Sequence, residues 1–194
     1  MRRIVVSEFI TVDGVIEDPG GQHGGIGGWA FQFDRGPEGD KFKLDEVRSA
    51  DALLLGRKTY EGFAAAWPSM TDEVGFAEKM NGMPKYVVSN TLERAEWNNS
   101  TIIRGDVFEQ VAGLDGEVLV NGSAQLVQAL IAHDLVDEFR LMVFPVVLGQ
   151  GLRLFGDSGA RANLRLTDAR RTGECQVLRY EAAGIAVAEA EPVA

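Results

Sequence analysis

The sequence predicts an α/β fold: a three-layer αβα sandwich whose central sheet is mixed, mostly parallel, and completed by an antiparallel C-terminal pair of strands. Three observations carry this. "DALLLG" (51–56), "KYVVSN" (85–90) and "EVLVNG" (117–122) are short, continuous apolar runs, the form a strand takes when both of its faces are covered. Segments with helical spacing alternate with them, which calls for parallel strands joined by helical crossovers. Near the end, "NLRLTDARRT" and "CQVLRYEAAG" read as two strands joined by a turn at Gly173.

Taken in order, "RIVVSEFI" (3–10) is rich in β-branched residues and reads as the first strand, not as part of a signal peptide. Residues 17–29, "EDPGGQHGGIGGW", have no apolar periodicity and form a glycine-rich loop. A polar helix is expected over about 38–50, with Phe42, Leu44 and Val47 towards the core. The strand at 51–56 is followed by helical patterns at 59–66 and 72–81. After the strand at 85–90 comes another, "STIIRG" (100–105), and then the helix "DVFEQVAGL" (106–114) with Asp106 placed to cap it. The strand at 117–122 leads into the helix "SAQLVQALIAHDL". "DEFRLMVFPVVLG" is a long strand in which Pro145 marks an edge position, a bulge or the strand's end. Residues 1–184 are expected to form one domain and 185–194, small and acidic, a flexible tail.

Composition limits the function classes. With 45% hydrophobic residues, a chain of 194 residues can bury a sizeable core. The formal net charge of −10 argues against non-specific nucleic-acid binding, which needs a basic face. The single cysteine, Cys175, excludes an internal disulfide and a multi-cysteine metal site, and its alternating surroundings predict a buried structural thiol. No run reaches the length of a membrane span, so a soluble cytoplasmic protein is expected.

Three strand ends share a pattern: "LLLG" leads to "RKT", "YVVS" to "NT", and "VLVNG" to "SAQL". In open α/β sheets, ligands lie outside the carboxyl ends of the strands, near helix N-termini whose unpaired N–H groups favour phosphate. Arg57 offers a planar fork and Lys58 a point charge, while Thr59, Ser89 and Ser123 add hydroxyls. The competing reading is three ordinary strand-to-helix turns with capping hydroxyls.

These residues carry a family resemblance. "LLLGRKTYEGF" resembles the Gly-Arg-[Lys/His]-Thr-[Tyr/Trp] stretch of the dihydrofolate reductase superfamily. "VLVNGSAQLVQALIAHDLVDEFRLMVFPVVLGQGLRLF" is similar to the reductase domain at the C-terminus of the bifunctional riboflavin-biosynthesis deaminase-reductase. "TVDGVIE", "PKYVVSNTL" and "EW" at 96–97 extend the agreement over most of residues 2–182, and it is strongest to the stand-alone, dihydrofolate-reductase-like branch. The resemblance implies a dihydrofolate reductase-like fold, NADPH as cofactor and a homodimer. It assigns the 2′-phosphate and pyrophosphate of NADPH to Gly56, Arg57, Lys58 and Thr59, the adenosine side to Ser89 and Asn90, and further pyrophosphate contacts to Gly122, Ser123, Ala124 and Gln125. It puts Asp13, Gly14 and Ile16 at the nicotinamide end. The family's Gly-Gly turn is Asn121-Gly122 here.

The implied activity is NADPH-dependent hydride transfer to a small heterocyclic or carbonyl/imine substrate, as in 5-amino-6-(5-phosphoribosylamino)uracil reductase. The alternatives are a true dihydrofolate reductase and a non-catalytic nucleotide- or metabolite-binding module. The carboxylates open to a catalytic role are Asp13 and Asp34, with Glu38 and Asp40 by position, against the simpler reading of solvated loop carboxylates. His23 and Trp29, in the glycine-rich loop, are of a type to stack on a flat ring, against ordinary loop packing. Other patterns carry little. "GIGGWA" (25–30) fits a dinucleotide-binding glycine pattern but follows no strand. His23 and His133 lack metal-ligand spacing, and His133 suits a helix C-terminus. No serine sits in a Gly-x-Ser-x-Gly elbow.

Overall fold

A computed structural model describes residues 1–21, 25–156 and 161–183. His23 and the expected tail lie outside the described residues. The strands are β1 (Arg3–Thr11), β2 (Ala52–Gly56), β3 (Lys85–Val88), β4 (Ser100–Ile103), β5 (Glu117–Val120), β6 (Glu138–Phe144), β7 (Leu164–Thr172) and β8 (Cys175–Ala182). The helices are α1 (Gly36–Ser49), α2 (Arg57–Ala66), α3 (Phe76–Gly82), α4 (Val107–Ala112) and α5 (Ala124–Ala132), with short 3₁₀ turns at Trp29–Gln32 and Trp67–Ser69.

The strands form one sheet in the order β4-β3-β2-β5-β1-β6-β8-β7. Every pairing from β4 to β6 is parallel, and β8 then pairs antiparallel with both β6 and β7. The expected mixed sandwich is therefore what forms. Its period-two pleat sorts neighbours onto opposite faces. Ile4, Val6, Leu54, Val118 and Val120 pack with Val111 of α4 and Leu126, Val127 and Leu130 of α5. Val5, Leu53, Leu55, Val87 and Leu119 pack with Val47 of α1, Tyr60 of α2 and Met80 of α3. Covered on both sides, β2 and the middle of β5 are apolar throughout, which is why they read as unbroken runs. No helix among the described residues is long and apolar enough to cross a membrane.

Some local expectations need correction. The helix read at 72–81 starts only at Phe76, because the Asp72 carboxylate takes the N–H groups of Val74, Phe76 and Ala77 and holds the preceding segment as a turn. "DEFRLMVFPVVLG" stops pairing at Phe144, so Pro145 marks the strand's end. Flanked by β1 and β8, β6 is an interior strand, so the edge reading of Pro145 does not apply. Trp29 is no loop residue awaiting a ring: it is 1% exposed, its indole N–H is bonded to the Glu17 carbonyl, and it meets Phe144 edge-on. Cys175 is the buried thiol expected, its pKa pushed up to about 11 by burial. His133 caps α5, with Nδ1 2.9 Å from the Ala129 carbonyl oxygen.

At the amino ends of the parallel strands, charges are buried deliberately paired. Glu138, 1% exposed, accepts hydrogen bonds from Arg3, Arg140 and Arg179, and Arg140 also reaches Glu117. Glu138 thus ties together β1, β6 and β8, and Arg140 adds β5 through Glu117. Lys85, also fully buried, donates to the carbonyls of Asn81, Met83 and Asn98 and lies over the Trp97 ring.

Glu138→Ala should lower the unfolding free energy by about 3–5 kcal/mol, the scale for stripping one partner from a buried ion cluster, read from the urea midpoint at pH 7. Burial alone would raise the Glu138 pKa, but the hydrogen bonds of Arg140 and Arg179 outweigh it and hold it below the ordinary 4.5. Its contribution is complete above that value and is lost as pH falls through the lower folded one, so the gap between wild type and variant should narrow in acid.

Candidate functional site

The sheet places its two glycine turns side by side. β2 and β5 are parallel neighbours, with Leu54 opposite Val120, so Gly56 and Gly122 leave the sheet at the same level. The chain then goes two ways: α2 packs with Tyr60 on one face, and α5 with Leu126, Val127 and Leu130 on the other. Such a divergence opens a crevice at the carboxyl ends of the strands.

The turns meet closely. The Gly56 N–H lies 3.5 Å from the Gly122 carbonyl oxygen. A Cβ on Gly56 would sit 2.5 Å from Ser123 Oγ, and one on Gly122, where φ is +73°, would sit 2.7 Å from Thr59 Oγ1. At both positions a side chain of the neighbouring turn occupies the space a Cβ would take, and at Gly122 the positive φ itself favours glycine. The Gly122–Ser123 peptide bond is cis. Ser123 caps α5 by accepting from the Leu126 N–H, whereas α2 starts without any side-chain cap. The first-turn N–H groups of α2 therefore lack a protein side-chain partner beside the crevice.

Around this core the expected residues fall as follows. Arg57 is half-buried and paired with Glu61 at 3.0 Å, one helical turn on, while Lys58 is exposed. Val88 pairs with Gly56, which sets Ser89 beside Arg57; the Ser89 hydroxyl accepts the Thr91 and Leu92 N–H groups, and Asn90 is exposed. Ala124 and Ile16 are buried in the core shared with α5, so their side chains serve packing, and Gln125 is exposed. Asn121 extends the β1–β5 join beyond the ladder, its side-chain N–H donating to the Ser7 carbonyl at 2.8 Å.

Three of the four candidate carboxylates have partners away from the two glycine turns, and the fourth, Glu38, is exposed. Asp13 accepts from Thr11 Oγ1 at 2.6 Å and from the Leu148 and Gly149 N–H groups. The Thr11 hydroxyl, then the Gly149 N–H, lower its pKa to about 2, so it is an ionised clamp for the loop that Gly14 turns at φ +82°. Asp34 holds the Gly36 N–H at the start of α1 and takes the Glu174 N–H on its carbonyl, joining α1 to the β7–β8 turn. Asp40 pairs with Arg35, and Glu38 is exposed.

Sequence reasoning passed over Glu8. It sits on β1 with 8% exposure, and its Oε1 accepts the Gly122 N–H at 2.5 Å. Burial, opposed only in part by that hydrogen bond and by Lys43, raises its pKa to about 8. The signal was a single carboxylate inside the apolar strand "RIVVSEFI". On the opposite side of the backbone pleat, Ser7 Oγ accepts from Lys43 Nζ, which also lies 3.0 Å from Glu46.

Residues 2–178 match the RibD C-terminal domain, and the chain belongs to this reductase-like family. It is 31% identical over 176 residues to the uncharacterised protein YyaP of Bacillus subtilis, covering 87% of this chain and 88% of that one. Among solved structures, a candidate riboflavin biosynthesis protein from Shewanella sp. PV-4 superposes with a TM-score of 0.74 at 19% identity, covering 93% of this chain and 98% of the other. Dihydrofolate reductase from Enterococcus faecalis, solved with NADP(H), gives 0.55 at 14% identity, with 93% and 96% covered. The dihydrofolate reductase-like fold expected from the sequence is the fold that forms.

Gly122→Ala should cost about 1–3 kcal/mol, from a strained left-handed residue together with the clash at Thr59. Adding Thr59→Ala should recover only the steric part, because the backbone conformation still disfavours a Cβ; thermal unfolding of both variants would show it.

Proposed function

We propose that this RibD C-terminal domain protein is an NADPH-dependent reductase acting on a C=N or C=O bond of a small heterocycle, in the manner of 5-amino-6-(5-phosphoribosylamino)uracil reductase. The observation that carries the reading is the meeting of two glycine turns at the strand divergence, with Arg57 and Lys58 on the rim and an uncapped helix behind them. An acidic chain of net charge −10 needs such a local arrangement to accept a phosphate-rich ligand.

In this reading Arg57 and Lys58 meet the 2′-phosphate, and Gly56 and Thr59 bring the first-turn N–H groups of α2 to the pyrophosphate. Gly122, Ser123, Ala124 and Gln125 line its other side, Ala124 through its backbone. Ser89 and Asn90 flank the adenosine, and Asp13, Gly14 and Ile16 shape the wall near the nicotinamide, Asp13 by fixing the loop. The bound cofactor supplies the hydride, and the protein supplies orientation and electrostatics. The Arg57–Glu61 pair is exposed enough to yield to a phosphate at little cost. The same reading includes a cytoplasmic homodimer.

Fluorescence titration should show NADPH preferred over NADH, and Arg57→Ala should reduce that preference by about 10- to 100-fold, the worth of one charge-assisted phosphate contact. An unchanged preference in the variant would remove the phosphate assignment. Binding without turnover of pterins, flavin precursors or quinones would favour a binding module over an enzyme.

A further inference from the structure

Reduction of a C=N or C=O bond needs a proton as well as a hydride, and the four carboxylates first considered are poorly placed to give one. Asp13 is held ionised by its loop, Asp34 is spent on joining α1 to the β7–β8 turn, Asp40 pairs with Arg35, and Glu38 is solvated. Glu8 differs from all of them. It lies on the central strand β1, two residues past the last β1–β5 ladder pair, Val6 with Val120, beside the glycine turn that ends β5. It is almost wholly buried, and one carboxyl oxygen takes the Gly122 N–H, a backbone group of the glycine turn itself.

We propose that Glu8 is the catalytic proton donor of the reductase, held by Gly122 at the cofactor turn. This rests on the NADPH-reductase reading above. Hydride added to the carbon of C=N or C=O drives the π pair onto nitrogen or oxygen, which takes the proton from the Glu8 carboxyl. The carboxylate left behind is reprotonated from water, and the reduced nicotinamide ends oxidised. Such an acid must be neutral when the substrate arrives. With a pKa near 8, Glu8 is mostly protonated at pH 7, as a general acid should be. Its electrostatic neighbours are Lys43 and Glu46 of α1, the lysine favouring the charged form and the glutamate opposing it. These two act in opposite directions, and desolvation is the largest influence on the protonation state.

The test needs no known substrate. An acid within reach of the reacting bond must lie near the nicotinamide ring, which is positively charged in NADP⁺ and neutral in NADPH. Ionised Glu8 would therefore favour NADP⁺ alone. Titrations of wild type between pH 7 and pH 9 should show NADP⁺ affinity rising about five- to tenfold while NADPH affinity stays flat, for a carboxyl pKa lowered by about one to two units beside the cation. The isosteric Glu8→Gln keeps an acceptor for the Gly122 N–H and should bind both nucleotides without the pH dependence. Infrared difference spectra of the wild-type protein should also show a protonated carboxyl band that fades around pH 8. Equal pH dependence for the two nucleotides, persistence of the NADP⁺ effect in Glu8→Gln, or a Glu8 carboxyl ionised throughout this range would overturn the proposal while leaving the reductase reading intact. Failure to bind either nucleotide would bring down the reductase reading and the proton donor with it.

Discussion

The contact on which the site depends is the close approach of the Gly56 and Gly122 turns. β2 and β5 run parallel and end together, so each turn occupies the space where the other would carry a side chain. Ser123 closes over Gly56, and Thr59 over Gly122. Because α2 and α5 then leave for opposite faces, the pair of turns is both the seam between the two helical layers and the floor of the crevice. Structural need and ligand access are met by the same two glycines.

The two ends of the sheet are built on different physics. At the amino ends, charge is buried to join strands: Glu138 gathers three arginines across the sheet, and the Lys85 ammonium is enclosed by three carbonyls. Burial pushes the Lys85 pKa down to about 8, and the carbonyls and the Trp97 face oppose that shift by solvating the charge. At the carboxyl ends, backbone groups and a few polar side chains take over, with Arg57 held at the rim in a pair that is easily broken. Rigidity at one end leaves the other free to present unpaired groups.

Carboxylates at the carboxyl end illustrate how environment decides protonation. Asp13 and Glu8 belong to the same strand and the loop after it, five residues apart. Asp13, supplied with a hydroxyl and two backbone N–H groups, is driven down to about 2. Glu8, with one N–H and almost no solvent, is driven up to about 8. Groups of one chemical type, pushed to opposite sides of neutrality, become a fixed anion and a neutral acid.

Much of this was legible in the sequence. The mixed sheet follows from local patterns: β2 and the runs 86–88 of β3 and 118–120 of β5 are continuously apolar because both faces are covered, and the β7–β8 pair is joined by a turn too short for a crossover. The glycine turns and the Arg57-Lys58 pair were likewise evident, since special backbone geometry and adjacent cations are written in residue type. What sequence alone could not decide is which groups face one another. Trp29, readable as a stacking ring or as loop packing, is core; Asp13, readable as an acid or as a solvated loop carboxylate, clamps a loop; and Pro145, readable as an edge, a bulge or a strand's end, marks the end of an interior strand. Glu8 stood in plain view inside a strand, but its chemistry arises from Gly122, 114 residues away, and from the water that packing excludes. Residue type sets what a group can do, and only tertiary burial and long-range hydrogen bonding set its charge state, because desolvation is a property of everything packed around it.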